Sequence, residues 1–166
     1  MKKMKEMKIM GYVVPDYISF ILFISFILFI SSCDEEFTSP IPSAPVSLTV
    51  DLDFADSDLV PALATKSITQ QRVATDRLGF GGILIINGYS SNGGTTLFAY
   101  DLACPVEVNR STLVVPDDVG KAKCAKCGAV YNIAYGSGIP ESGSKHPLRS
   151  YLVRQITGGN KYIITN

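Results

Sequence analysis

Downstream of its first 45 residues the chain is written in short alternating and apolar runs separated by Gly, Pro and Asn. Residues 46–52, Val-Ser-Leu-Thr-Val-Asp-Leu, alternate apolar and polar with period two, which predicts a strand with one buried face. Gly81-Gly82-Ile83-Leu84-Ile85-Ile86 is a continuous aliphatic run bounded by Gly and by Asn87-Gly88. That predicts a strand buried on both sides. After the turn at 90–94, residues 95–102 resume an extended pattern rich in aromatic and β-branched side chains. Further strands are predicted at 111–115, 121–123, 130–133, 148–156 and 161–165. Only 57–77 offers a helix or long loop, with Pro61 interrupting any early helix. Many short strands with this punctuation imply an all-β antiparallel sandwich or small barrel. No repeat of 20 to 50 residues is visible, which argues against solenoids and propellers.

The front of the chain has a different pattern. Lys2, Lys3, Lys5 and Lys8 precede an apolar run at 18–30, and Ile30-Ser31-Ser32-Cys33 follows directly. Thirteen residues are too few for a transmembrane helix, which needs about 20, so 1–32 reads as a secretory signal peptide. The small residues before Cys33 resemble the lipobox of bacterial lipoproteins. That resemblance makes Cys33 the lipidated first residue, and the lipid bilayer a partner through it. Asp34-Glu35-Glu36 and the Pro/Ser run to Pro45 cannot bury a core, so 33–46 reads as lipidated terminus and flexible tether, with the β domain at 47–166. The acidic triplet resembles a surface-export signal, which favours the outer membrane or cell surface. In other lineages Asp at that position marks retention in the inner membrane.

Removing the signal changes the composition that matters. Mean hydropathy of +0.22 owes much to the apolar run, and the remaining 134 residues fit one domain. The signal holds four of the 15 basic and two of the 15 acidic residues, which leaves 11 against 13 and a net charge of −2. With no basic stripe carrying interleaved aromatics, nucleic acid is not a partner. No dinucleotide or Walker pattern occurs, and the glycines at 79–82 precede a strand and read as turn or bulge positions. The run Asp51, Asp53, Asp56, Asp58 lacks the Gly and Glu of a calcium loop and reads as a solvated edge.

The chemistry sits in two cysteine motifs on predicted hairpin tips, Cys104-Pro105-Val106 and Cys124-Ala125-Lys126-Cys127-Gly128. The order is a strand ending in Cys-Pro, a second cysteine loop closed by Gly, and the short aromatic strand Val130-Tyr131-Asn132. The Gly/Pro-rich stretch 136–140 and a final hairpin follow. It resembles the Rieske iron–sulfur family over roughly 79–166, and implies a Rieske-like fold with two cysteine-bearing hairpin loops. A Rieske centre binds one iron through two cysteines and the other through two histidines. Here the histidine positions hold Val106 and Cys127, and the single histidine, His146, lies beyond both loops.

Four readings of Cys104, Cys124 and Cys127 follow. The loops are vestigial and hold no cofactor, with a disulfide permitted outside the cytoplasm. Alternatively the Cys-x-x-Cys-Gly knuckle and Cys104 hold zinc, with His146, Glu107 or water as fourth ligand. A [2Fe–2S] cluster with Glu107 or His146 completing the set would make an electron-transfer protein of lowered potential. Last, Cys124 and Cys127 form a redox pair with Lys123 and Lys126 nearby. No catalytic residue is predicted; a serine triad would have to use His146 as base. The expected function is a non-enzymatic binding or structural module, with Tyr131, Tyr135, Tyr151 and the cysteine loops meeting a protein or ligand partner.

Overall fold

The computed structural model describes residues 37–156 and 159–166, so the predicted signal and Cys33 lie outside the described residues. Among the described residues there are eleven strands and no α-helix, and no helix long and apolar enough to cross a membrane. The all-β antiparallel architecture predicted from the alternation is what the chain forms.

Seven strands form one antiparallel sheet: β1 (Val46–Asp51), β2 (Thr65–Ile68), β3 (Arg77–Leu78), β4 (Ile83–Tyr89), β5 (Thr95–Asp101), β10 (Ser150–Gln155) and β11 (Lys161–Thr165). Their order is β2-β4-β5-β10-β11-β1-β3, a nearly closed barrel. The other four, β6 (Val114–Pro116), β7 (Lys121–Cys124), β8 (Val130–Asn132) and β9 (Pro140–Ser142), make a small antiparallel meander in chain order.

The aliphatic run of β4 explains how the two sheets share the core. Ile83 and Ile85 point into the barrel with Leu48, Val50, Leu97 and Ile164. Leu84 and Ile86 point outward into a second layer with Tyr100, Leu102, Val114, Tyr131, Ile133 and Leu148. All four β4 side chains are fully buried, because successive side chains leave a strand on opposite faces and both faces are covered. Gly88 extends the close packing. A Cβ there would lie 2.2 Å from the Ala134 carbonyl oxygen, so only glycine lets the segment after β8 reach the β4 backbone.

The structure departs from the sequence reading in several places. The stretch 57–77 is a 3-10 turn at Ser57–Leu59, strand β2, a loop and strand β3 rather than a helix or one long loop. Strand β9 has no counterpart among the predicted strands and begins at Pro140, the last residue of the Gly/Pro-rich stretch. The acidic run is not simply a solvated edge, because Asp56 is fully buried and faces Arg72 at 2.9 Å and Lys66 at 3.0 Å. Burying a carboxylate is costly unless it is paired, and the bases supplied by the following loop and β2 meet that condition. Of the stretch read as tether, residues 37–45 belong to the folded unit. Ile41 is buried, and its carbonyl accepts a 2.9 Å bond from Arg149.

Candidate metal centre

Both cysteine loops are hairpin tips, and the backbone sets each one. The antiparallel bridge between Ala103 and Leu113 closes the first loop just after β5. The Cys104 carbonyl accepts from Val108 at 2.9 Å, and its amide donates to Thr112 at 3.0 Å. The second loop joins β7 to β8. The Cys124 amide donates to the Ala129 carbonyl at 2.9 Å and its carbonyl accepts from Gly128 at 3.0 Å. Gly128 sits at φ +76°, the left-handed conformation that this tight knuckle needs and that favours glycine. Across the two tips, Glu107 of the first loop pairs with Lys126 of the second.

Three sulfurs meet between the tips. The Sγ atoms of Cys104, Cys124 and Cys127 all lie within 4.8 Å of one another, and the Cys104 and Cys127 sulfurs are 3.5 Å apart. Cys104 and Cys124 are buried and Cys127 is half-buried. The Tyr131 hydroxyl lies 3.8 Å from the Cys104 sulfur.

The thiols do not share one environment. Burial alone would raise the Cys124 thiol. The amides of Cys127 and Lys126, joined by the Cys104 and Cys127 thiols, outweigh it and hold Cys124 below the ordinary cysteine value. Burial pushes the Cys127 thiol up to about 11, reinforced by the sulfurs of Cys104 and Cys124 and opposed by the Ala129 amide. The donors around Cys124 therefore favour its thiolate over that of Cys127.

The other predicted residues fall outside the sulfur group. The Glu107 carboxylate is engaged by Lys126, and the exposed His146 turns its Nδ1 toward the Thr38 carbonyl at 3.3 Å. Val106 is 45% exposed. It borders an open depression of about 490 Å³ lined also by Pro40, Pro105 and residues 143–146. Two of the tyrosines expected to meet a partner are not available for that. Tyr131 is fully buried, and Tyr151 is buried with its hydroxyl on Asp101 at 2.5 Å. Only Tyr135 of the three is exposed, stacked at a tilt near Tyr89 with centroids 5.9 Å apart.

A two-cysteine, two-histidine cluster does not fit these residues. Valine offers no donor atom at 106, and the position of the second histidine is filled by a sulfur within 3.5 Å of Cys104. What sequence reasoning missed was the Tyr131 hydroxyl as a neighbour of this group. Its signal was present, because an aromatic hydroxyl one strand beyond the knuckle falls beside the first loop once the two hairpins pack.

No protein-family model matches the chain, and no curated protein does. Two solved structures are similar at low identity. One, a complex of reduced oxygenase and oxidized ferredoxin in carbazole 1,9a-dioxygenase, matches at 16% identity over 72% of this chain and 93% of the other, with a TM-score of 0.43. The second is the ferredoxin of carbazole 1,9a-dioxygenase from Nocardioides aromaticivorans IC177. It matches at 16% identity over 74% and 97%, with a TM-score of 0.40. Neither likeness is close enough to carry a function.

Proposed function

We propose that this chain is a lipoprotein anchored through Cys33 outside the cytoplasm, on the outer membrane or cell surface. Its β domain is a Rieske-like module that has lost the [2Fe–2S] cluster and serves as a non-enzymatic binding or structural unit. The ordered motifs Cys104-Pro105 and Cys124-x-x-Cys127-Gly128, on two converging hairpin tips, support the family reading. Position 106 carries the loss. An exposed valine stands where the first loop would present a nitrogen ligand, and His146 faces the Thr38 carbonyl instead. Function lives in sites grafted on folds, so a retained scaffold does not imply retained electron transfer.

One comparison tests this reading. The chain is expressed with its own leader, extracted from membranes in mild detergent and supplied anaerobically with iron and sulfide, beside Val106→His/Cys127→His. The wild type is expected to stay colourless and the double variant to gain iron–sulfur absorption. About two irons per wild-type chain with visible absorption would overturn the loss of the cluster. A double variant that stays folded but colourless would overturn the family reading. Cys33→Ser should shift the chain from the membrane to the soluble fraction.

A further inference from the structure

We propose that Cys104, Cys124 and Cys127 form a mononuclear site for one thiophilic d10 ion, zinc(II) being its class. Three protein thiolates bind the ion, and water or a small exogenous ligand takes the fourth position. The inference rests on the reading that no iron–sulfur cluster is present and gives the surviving thiols a role of their own.

Spacing separates this assignment from its competitors. An ion with tetrahedral bonds of about 2.3 Å holds its sulfurs roughly 3.8 Å apart. Here all three sulfurs lie within 4.8 Å of one another and the Cys104 and Cys127 sulfurs are 3.5 Å apart. A disulfide would join two of the thiols at about 2.05 Å and leave the third buried or half-buried without a role. A two-iron cluster would divide its cysteines between two metal atoms and spread them farther than one ion does.

A hydroxyl neighbour and an open position complete the geometry of the three sulfurs. The Tyr131 hydroxyl lies 3.8 Å from the Cys104 sulfur. Thiolate sulfur is a stronger acceptor than a thiol, so a hydroxyl at that distance is placed to act as an outer donor once the sulfur is a bound thiolate. Such outer donors orient metal ligands and tune them. The fourth position is open because neither Glu107 nor His146 belongs to the group. Closed structural zinc sites have four protein ligands, so an ion held by three would exchange its fourth ligand readily.

The test uses the full chain, purified reduced in detergent and stripped with a chelator. Titration with cobalt(II) is expected to give tetrahedral d–d bands and thiolate charge transfer with a break at one ion per chain. Zinc(II) should then displace the cobalt stoichiometrically. Cys127→Ser, at a half-buried position where the fold persists by circular dichroism, should weaken zinc by more than the roughly 10–100-fold cost of losing an outer-shell partner. Tyr131→Phe should fall within that range. A folded wild type whose three thiols stay freely alkylatable in excess zinc, or in which two are found as a disulfide after reduction and metal exposure, overturns the site and leaves the proposed module standing. Two irons with sulfide in the chain as isolated would overturn both.

Discussion

Asp101 shows how single residues hold this domain together. It is fully buried, yet it accepts from Phe80, Gly81 and Ala103 amides at 2.8 to 3.0 Å and from the Tyr151 hydroxyl at 2.5 Å. The Gly79-Phe80-Gly81-Gly82 stretch, read from sequence as turn or bulge, is the loop that delivers two of those amides. Hydrogen bonds to a charged group contribute about 1.5–3 kcal/mol each, so Tyr151→Phe should destabilise the fold by about that amount in urea melts at neutral pH. The pH dependence gives a second readout. Burial, and then the neighbouring Asp101 carboxylate, raise the Tyr151 hydroxyl well above its ordinary 10.0, and burial raises Tyr100 and Tyr131 as well. Above pH 10 the unfolded chain releases these protons and the folded chain keeps them, so stability falls as pH rises. Each tyrosine steepens that alkaline limb by about 1.4 kcal/mol per pH unit. The Tyr151→Phe limb should be shallower by about that slope, and parallel limbs for the two proteins would sink the assignment.

At the scale of elements, legibility tracks how local the determining contacts are. The β1, β4, β5, β10 and β11 strands were readable because an alternating or doubly buried strand writes its faces into consecutive residues. Strands β2, β3 and β9 are four residues or shorter, too short for periodicity to accumulate, and unlike the equally short β6, β7 and β8 they do not adjoin a cysteine motif that marks a hairpin. The pairing of Asp56 with Arg72 is beyond sequence for another reason: it joins residues 16 apart across a turn whose shape depends on the finished barrel. This clamp binds the turn after β1 to β2 and to the following loop. Burial raises the Asp56 carboxyl, but the Asp51 amide, then Lys66 and Arg72, outweigh it and hold it below the ordinary 3.8. Its contribution is thus present above about pH 4 and lost as pH falls through the lowered folded value. Asp56→Asn should cost about 2–3 kcal/mol. That is less than the about 3–5 of a fully buried pair, because Lys66 and Arg72 keep 25% and 32% of their side chains in solvent. In acid titrations followed by circular dichroism the variant should lose less stability below pH 4 than the wild type. An equal acid loss would show that other carboxylates set that limb.

Across the whole molecule, the two cysteine motifs were legible as motifs, and their meeting was not. Cys104 belongs to the barrel side, after β5, whereas Cys124 and Cys127 belong to the small meander. What brings them together is the apolar layer of Leu84, Ile86, Tyr100 and Leu102 against Val114, Tyr131 and Ile133, contacts between distant parts of the chain. The meander has no interior of its own; its strands are three or four residues long and bury one face against the barrel. An ion held by all three sulfurs would cross that boundary, so its binding free energy would oppose only openings that part the two sheets. Binding to one state stabilises it by RT ln(1 + [L]/Kd), about 4.1 kcal/mol at 1,000 times Kd. Zinc should therefore slow amide exchange in β7 and β8 by up to about a thousandfold, wherever those amides exchange through parting of the sheets. Amides of β4 and β5 that exchange inside the intact barrel should not change. Hydrogen exchange of the chelated and zinc-supplied chain reads this directly, and uniform protection of both sheets, or protection of neither, would mean that the ion does not couple them.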